Sequence, residues 1–319
     1  MRKFKNVLIT GISGSGGSYL AEYILSLNKD IKINGTYRKK NKINLQNILG
    51  KVKLIKNNLS TVSKIKKMIN KLKPDVIFHL ASDADVKKSF ENPLNQVKKN
   101  CEITLNLLEA VRISKHNPFI QMCSTSEVYG NLKKKDMPIN ENKQLKPNNP
   151  YAVSKLFQDT LAQTYNKNFG LNIIITRMFT YLNPRRKNLF ASSWAHQINL
   201  IKLNKQKFLY HGNLNSTRTI MDVRDAMRAY WLVMEKGEIG EIYNIGSDKA
   251  MNLKNFLNML IKRSKKKIVT KLDKKLLRKS DIAYQIPDSS KFFRATKWKP
   301  KISIEKSLDF LLKETNHLI

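Results

Sequence analysis

Cysteine, acidic residues and long apolar runs are all scarce in this chain. Only two cysteines occur in 319 residues, Cys101 in a helical stretch and Cys123 in an apolar strand. Neither has a Cys or His at metal-ligand spacing, so a disulfide framework and a bound structural metal are excluded and buried thiols are expected. No apolar stretch approaches the roughly 20 residues that a membrane-spanning helix needs. The start Met1-Arg2-Lys3-Phe4-Lys5 is basic, but the apolar segment behind it is too short for a signal peptide and runs into glycines. A cytoplasmic protein with no membrane partner is expected. Internal repeats and low-complexity linkers are absent as well.

Acidic residues number 24 against 60 Lys and Arg, which gives a formal net charge of +36. The excess is mostly lysine and is spread along the chain, as at Lys64, Lys66, Lys67, Lys71, Lys133, Lys134 and Lys135. A nucleic-acid binder typically clusters its basic residues, often with arginine and stacking aromatics. No such stripe occurs here, so no nucleic-acid partner is expected. The positive field still attracts anionic nucleotides. The 41% hydrophobic fraction is ordinary for a globular protein, and the length allows one elaborate domain or two coupled lobes.

Strand and helix patterns alternate. Apolar runs at 4–9, 31–37, 51–55, 75–80, 118–123 and 171–176 read as buried parallel strands, with helical patterns at 17–28, 61–72, 94–115 and 151–168. This predicts an α/β fold: a doubly wound parallel Rossmann sheet over 1–177 that carries the catalytic residues. Residues 178–319 mix short strands (207–211, 218–221, 241–245) with helices (190–203, 222–236, 252–264, 303–315). They read as a smaller α/β substrate-binding lobe facing the sheet's carboxyl edge.

After the first apolar run comes Thr10-Gly11-Ile12-Ser13-Gly14-Ser15-Gly16-Gly17, which opens an amphipathic helix. Strand, glycine turn and helix are the context of a dinucleotide fingerprint. Gly11 makes the tight turn, Gly14 admits a pyrophosphate and Gly17 lets the helix pack on the strand. The second strand ends at Arg38-Lys39-Lys40, where an NAD site would place an acid for the ribose hydroxyls. A basic residue there suits a 2′-phosphate, so NADP is the expected cofactor.

Ser124-Thr125-Ser126-Glu127-Val128-Tyr129-Gly130 follows another apolar strand, and Pro150 starts a helix bearing Tyr151 and Lys155. Tyr and Lys four positions apart share a helix face. The ammonium beside the phenol would favour phenolate and make Tyr151 a base near neutrality. A Tyr/Lys pair alone suggests hydride chemistry at an alcohol, and the added carboxylate of Glu127 suggests that a proton on carbon also moves. His79 ends a buried strand and reads as a packed residue lining the cofactor.

These motifs resemble the extended short-chain dehydrogenase/reductases that act on nucleotide sugars, most of all the GDP-mannose 4,6-dehydratases. The likeness runs along nearly the whole chain and includes His79-Leu80-Ala81-Ser82, Pro184-Arg185-Arg186, Gly212-Asn213-Leu214 and Trp298-Lys299-Pro300. It implies that Thr125, Glu127, Tyr151 and Lys155 are catalytic and that Arg38 holds the NADP phosphate. Ser13, Asn58, Leu59, Leu80 and Ala81 would join the glycines, Tyr151 and Lys155 at the cofactor. Ser126, Arg218 and Arg278 would hold a nucleotide-sugar substrate, in a homodimer or homotetramer. Asn58-Leu59 stands where the family has Asp-Leu, and Thr180, Tyr181 and Leu182 replace its Asn, His and Glu. The segments at 190–197 and 221–231 look more like GDP-6-deoxy-mannose 4-reductases. A reductase of a 4-ketosugar, or an epimerase, is therefore the alternative. Arg185 and Arg186 would touch substrate or a neighbouring subunit.

Overall fold

The computed structural model describes residues 1–277 and 281–317. Six strands lie where the apolar runs predict them: β1 (Asn6–Thr10), β2 (Lys32–Tyr37), β3 (Lys53–Lys56), β4 (Val76–His79), β5 (Phe119–Thr125) and β6 (Ile173–Met178). They pair in the order β3-β2-β1-β4-β5-β6, all parallel. Runs such as Val7-Leu8-Ile9 and Ile173-Ile174-Ile175 are buried from end to end, as strands covered on both faces require. The chain winds outward from β1 to β3 and then returns to β4. That reversal opens a crevice beyond the carboxyl ends of β1 and β4, where ligands of such sheets bind.

A seventh parallel strand, Ile242–Ile245, adds beside β6. By sequence it belongs to the second lobe, but its Tyr243 and Ile245 are needed to cover the sheet's edge core. The central sheet thus takes a strand from the second half of the chain.

The helices of the first half are α1 (Ser15–Leu27), α2 (Lys42–Leu45), α3 (Val62–Leu72), α4 (Val86–Glu91), α5 (Pro93–Arg112) and α6 (Pro150–Phe169). The second half adds α7 (Phe190–Lys202), α8 (Val223–Lys236), α9 (Leu253–Ser264), α10 (Ser290–Thr296) and α11 (Ile304–Asn316). One face of the sheet is covered by α1 and α8 through Tyr19, Leu20, Tyr230 and Trp231. The other is covered by α3, α5 and α6 through Ile65, Leu107, Leu108 and Ala162. Trp194, Ile198, Phe256 and Leu311 form a separate core for the second lobe.

A buried ion pair fixes the helix that bears Tyr151 against the strands beside it. Arg177 Nε on β6 lies 2.9 Å from Asp159 on α6, and Ser124 Oγ on β5 donates to the same carboxylate at 2.9 Å. Burial works against the Arg177 charge, yet Asp159 holds its pKa above the ordinary value. Removing one partner would strand the other's charge, at a cost of about 3–5 kcal/mol.

Candidate active site

The site gathers at the carboxyl ends of β1, β4 and β5. Asn149 caps α6 by accepting the Ala152 N–H at 2.8 Å, and Pro150 fills the first turn. One turn apart on that helix, Tyr151 and Lys155 are 6% and 3% exposed, and both line a cavity of about 230 Å³. Thr125, Ser126 and Glu127, delivered by the end of β5 and the 3₁₀ turn Ser126–Tyr129, line the same cavity. Thr125 shares a hydrogen bond with the Tyr151 phenol and accepts the Glu127 N–H at 3.3 Å. Glu127 Oε2 accepts from Asn149 Nδ2 at 3.0 Å. The four residues expected to be catalytic are thus brought together.

Their electrostatics differ from the sequence expectation. Burial dominates at Tyr151 and pushes its pKa up, and the largest opposing influence is the Arg186 guanidinium. The Lys155 ammonium donates to the Cys123 carbonyl at 2.8 Å, and burial pulls its own pKa down. His79 is held neutral: burial, then the Lys155 charge, lowers it to about 3. Its ring nitrogens meet Thr10 Oγ1 at 2.9 Å and Thr104 Oγ1 at 3.1 Å, which fits a packing role.

The glycine turn forms the cavity's other wall, with Gly11, Gly14, Gly16, Gly17 and Leu80. Gly11 has φ +72°, and a Cβ there would come within 2.8 Å of Ala81 Cα. A Cβ on Gly17 would come within 2.5 Å of the Gly11 carbonyl. Only bare backbone fits this cradle. No side chain caps the start of α1, so its first N–H groups face an incoming anion at the positive end of a 13-residue helix. These features fit a dinucleotide pyrophosphate. Ala81 donates its N–H to Thr10 Oγ1 at 3.2 Å beneath the turn. Ser13 Oγ donates to the Lys39 carbonyl at 3.0 Å, which ties the cradle to the exposed Arg38 at the end of β2. Asn58 and Leu59 are not among the cavity walls: Asn58 is exposed and accepts from Ser60 Oγ at 2.8 Å, while Leu59 is buried.

A second cavity of about 430 Å³ shares Val86, Arg186, Phe190 and Arg218 with the first. Arg218 is buried there, with Gln285 and the Ile282 carbonyl as acceptors and Asp281 at 3.7 Å. Arg278 lies outside the described residues.

Further residues line these cavities. Arg186 lines both cavities, whereas the adjacent Arg185 turns away to Glu22 at 2.6 Å. Tyr181 and Tyr230 also line the catalytic cavity. Cys123, half-buried rather than buried, meets the Tyr230 hydroxyl at 2.9 Å. The Asn-Pro step before Tyr151 is a helix-start signal that could have located Asn149. Nothing local marks its contact with Glu127.

The sequence model of the family described as GDP-mannose 4,6 dehydratase matches residues 8–310. The chain belongs to that family. Within the family's wider circle, it is 29% identical to the GDP-6-deoxy-D-mannose reductase of Pseudomonas aeruginosa over 243 residues, covering 76% of this chain and 80% of that one. It is 26% identical to the GDP-mannose 4,6-dehydratase of Yersinia enterocolitica over 344 aligned positions, covering 95% and 91%. Among solved structures, the UDP-glucuronic acid 4-epimerase of Bacillus cereus, in complex with UDP-glucuronic acid and NAD, is 26% identical with a TM-score of 0.86 over 98% of this chain and 99% of that one. RMD from Pseudomonas aeruginosa, complexed with NADPH, gives 0.82 at 24% identity over 98% and 100%. This GDP-mannose 4,6-dehydratase family member is an enzyme with a nicotinamide cofactor. Among its described residues no helix is long and apolar enough to cross a membrane, and no group of His, Cys, Asp and Glu could hold a metal ion.

Proposed function

We propose that this chain is a nucleotide-sugar 4,6-dehydratase, converting GDP-mannose to GDP-4-keto-6-deoxy-mannose with NADP as a resident cofactor. The observation that carries the reading is the Glu127 carboxylate in one cavity with Tyr151, Thr125 and Lys155. Oxidation or reduction of an alcohol needs only the tyrosine and its hydroxyl partner. Elimination of water across carbons 5 and 6 needs a further base within reach of a carbon-bound proton.

Gly11, Gly14 and Gly17 would hold the pyrophosphate and Arg38 the 2′-phosphate. Bound there, the cofactor would supply reversible hydride transfer for oxidation at carbon 4 and reduction at carbon 6, with zero net redox change. Tyr151 takes the proton of the 4-hydroxyl, and Thr125 steadies that oxygen. The 4-ketone acidifies the proton on carbon 5, which Glu127 removes and passes to the 6-hydroxyl as it leaves as water. Tyr151 gives up the 4-hydroxyl proton to solvent, and Glu127, reloaded with a solvent proton, protonates carbon 5. Arg218 would meet the substrate diphosphate, where a planar guanidinium suits paired phosphate oxygens.

The reductase alternative draws on Tyr181 and Leu182 in place of the family's His and Glu and on the Pseudomonas aeruginosa relative. One experiment separates the two. Purified protein is given GDP-mannose without added NADPH, in deuterated water, and the nucleotide released on denaturation is identified. A dehydratase yields a 4-keto-6-deoxy product carrying deuterium at carbon 5. Glu127→Gln should abolish both product and exchange while leaving substrate binding. Stoichiometric consumption of NADPH with a 4-ketosugar, and inertness toward GDP-mannose, would establish the reductase instead.

A further inference from the structure

Asn149 joins two parts of the site through the two ends of one amide. Its Oδ1 accepts the Ala152 N–H at 2.8 Å and so caps α6, the helix of Tyr151 and Lys155. Its Nδ2 donates to Glu127 Oε2 at 3.0 Å and to Asn148 Oδ1 at 3.1 Å. The residue is 5% exposed, so water does not replace these bonds. A cap alone is met equally by serine or aspartate, since it needs only an acceptor. Holding a carboxylate at the same time needs a donor as well, which the amide supplies at the end opposite its cap oxygen and which an ionised aspartate lacks.

We propose that Asn149 is a positioning residue for Glu127. It fixes Oε2 and leaves Oε1 for the substrate's carbon-bound proton, at a set place relative to the Tyr151 helix. That it serves the elimination step rests on the dehydratase reading; the contact itself does not. The charged and titratable groups sharing the cavity with Glu127 are Cys123 from β5, Tyr151 and Lys155 from α6, Tyr181 after β6, Arg186 from the loop before α7, Tyr230 from α8, and Arg218.

Asn149→Ser and Asn149→Asp both keep the cap acceptor, and Asn149→Asp sets a second anion beside Glu127. The Glu127 carboxyl is followed by carbon-13 NMR at fixed pH, with Glu127→Gln assigning its signal. Thermal midpoint, nicotinamide reduction by GDP-mannose and carbon-5 deuterium exchange are followed in parallel. Both variants should melt near wild type, and the Glu127 carboxyl resonance should shift as its hydrogen bond is lost. Exchange should fall at least about tenfold while nicotinamide reduction falls less. A Glu127 resonance unmoved in both variants overturns the proposal, as does an equal loss of the two chemical steps. If the resonance moves as expected while wild type makes no 4-keto product from GDP-mannose, the positioning role stands and the dehydratase reading falls.

Discussion

At Tyr151, burial and charge pull in opposite directions. Enclosure beside β5 pushes the phenol above its ordinary pKa, and the Arg186 guanidinium is the largest influence drawing it back. The Lys155 ammonium gives one hydrogen bond to the Cys123 carbonyl and keeps further donors for the cavity, so it also holds the strand end that carries Thr125. The doubled arginine after Pro184 therefore divides its work, with Arg186 facing the reacting centre and Arg185 facing α1. If Arg186 favours phenolate, Arg186→Gln raises the tyrosine pKa further and phenolate becomes available only at higher pH. The rising limb of the kcat profile should then move up by about one pH unit, with activity recovering toward alkaline pH. A uniform loss across the profile would assign Arg186 to binding instead.

Among the elements, the loop 183–189 ahead of α7 crosses the crevice. Arg185 meets Glu22 at 2.6 Å and Ser18 Oγ at 2.9 Å on α1, and its guanidinium lies 3.9 Å over the Tyr19 ring. Arg186 reaches the Ala84 carbonyl in the segment between β4 and α4. Both sides of the dinucleotide crevice are thus strapped together by one short loop. An enzyme whose net redox change is zero gains from a cofactor that does not leave. Arg185→Ala should speed release of bound nucleotide about tenfold or more, followed by exchange against labelled NADP. Release at the wild-type rate would remove the strap from the account. The glycine turn, β5 and α6 were legible because period and punctuation are local: an apolar run, then glycines or an Asn-Pro step. Helices α2, α4 and α10 were not foreseen, being only 4, 6 and 7 residues long and too short to show a helical period. The pairing of Ile242–Ile245 with β6 is not legible in sequence because it depends on tertiary proximity, which a four-residue run does not encode. The Asn149–Glu127 and Arg186–Tyr151 relations escaped for the same reason. They join side chains 22 and 35 positions apart across separate elements.

For the molecule as a whole, the +36 formal charge is left largely uncompensated at the surface. Asp159, Asp222 and Asp225 are buried and engaged with Arg177, Arg224 and Arg228, so these acids serve the fold rather than the exterior. The lysines outside, such as those of α3 and the segment 133–135, stand on separate elements. A diffuse field of this kind attracts any polyanion weakly through a few contacts at a time. Random duplex DNA should therefore bind detectably near 0.01 M salt, where the screening length is about 30 Å. Binding should fall steeply by about 0.15 M, where that length is about 8 Å and counterion release favours the complex less. Fluorescence anisotropy across that range checks the expectation. Tight, sequence-selective binding that survives physiological salt would mean that the lysines form a built nucleic-acid surface, and that the charge has a purpose beyond drawing an anionic nucleotide sugar toward the crevice.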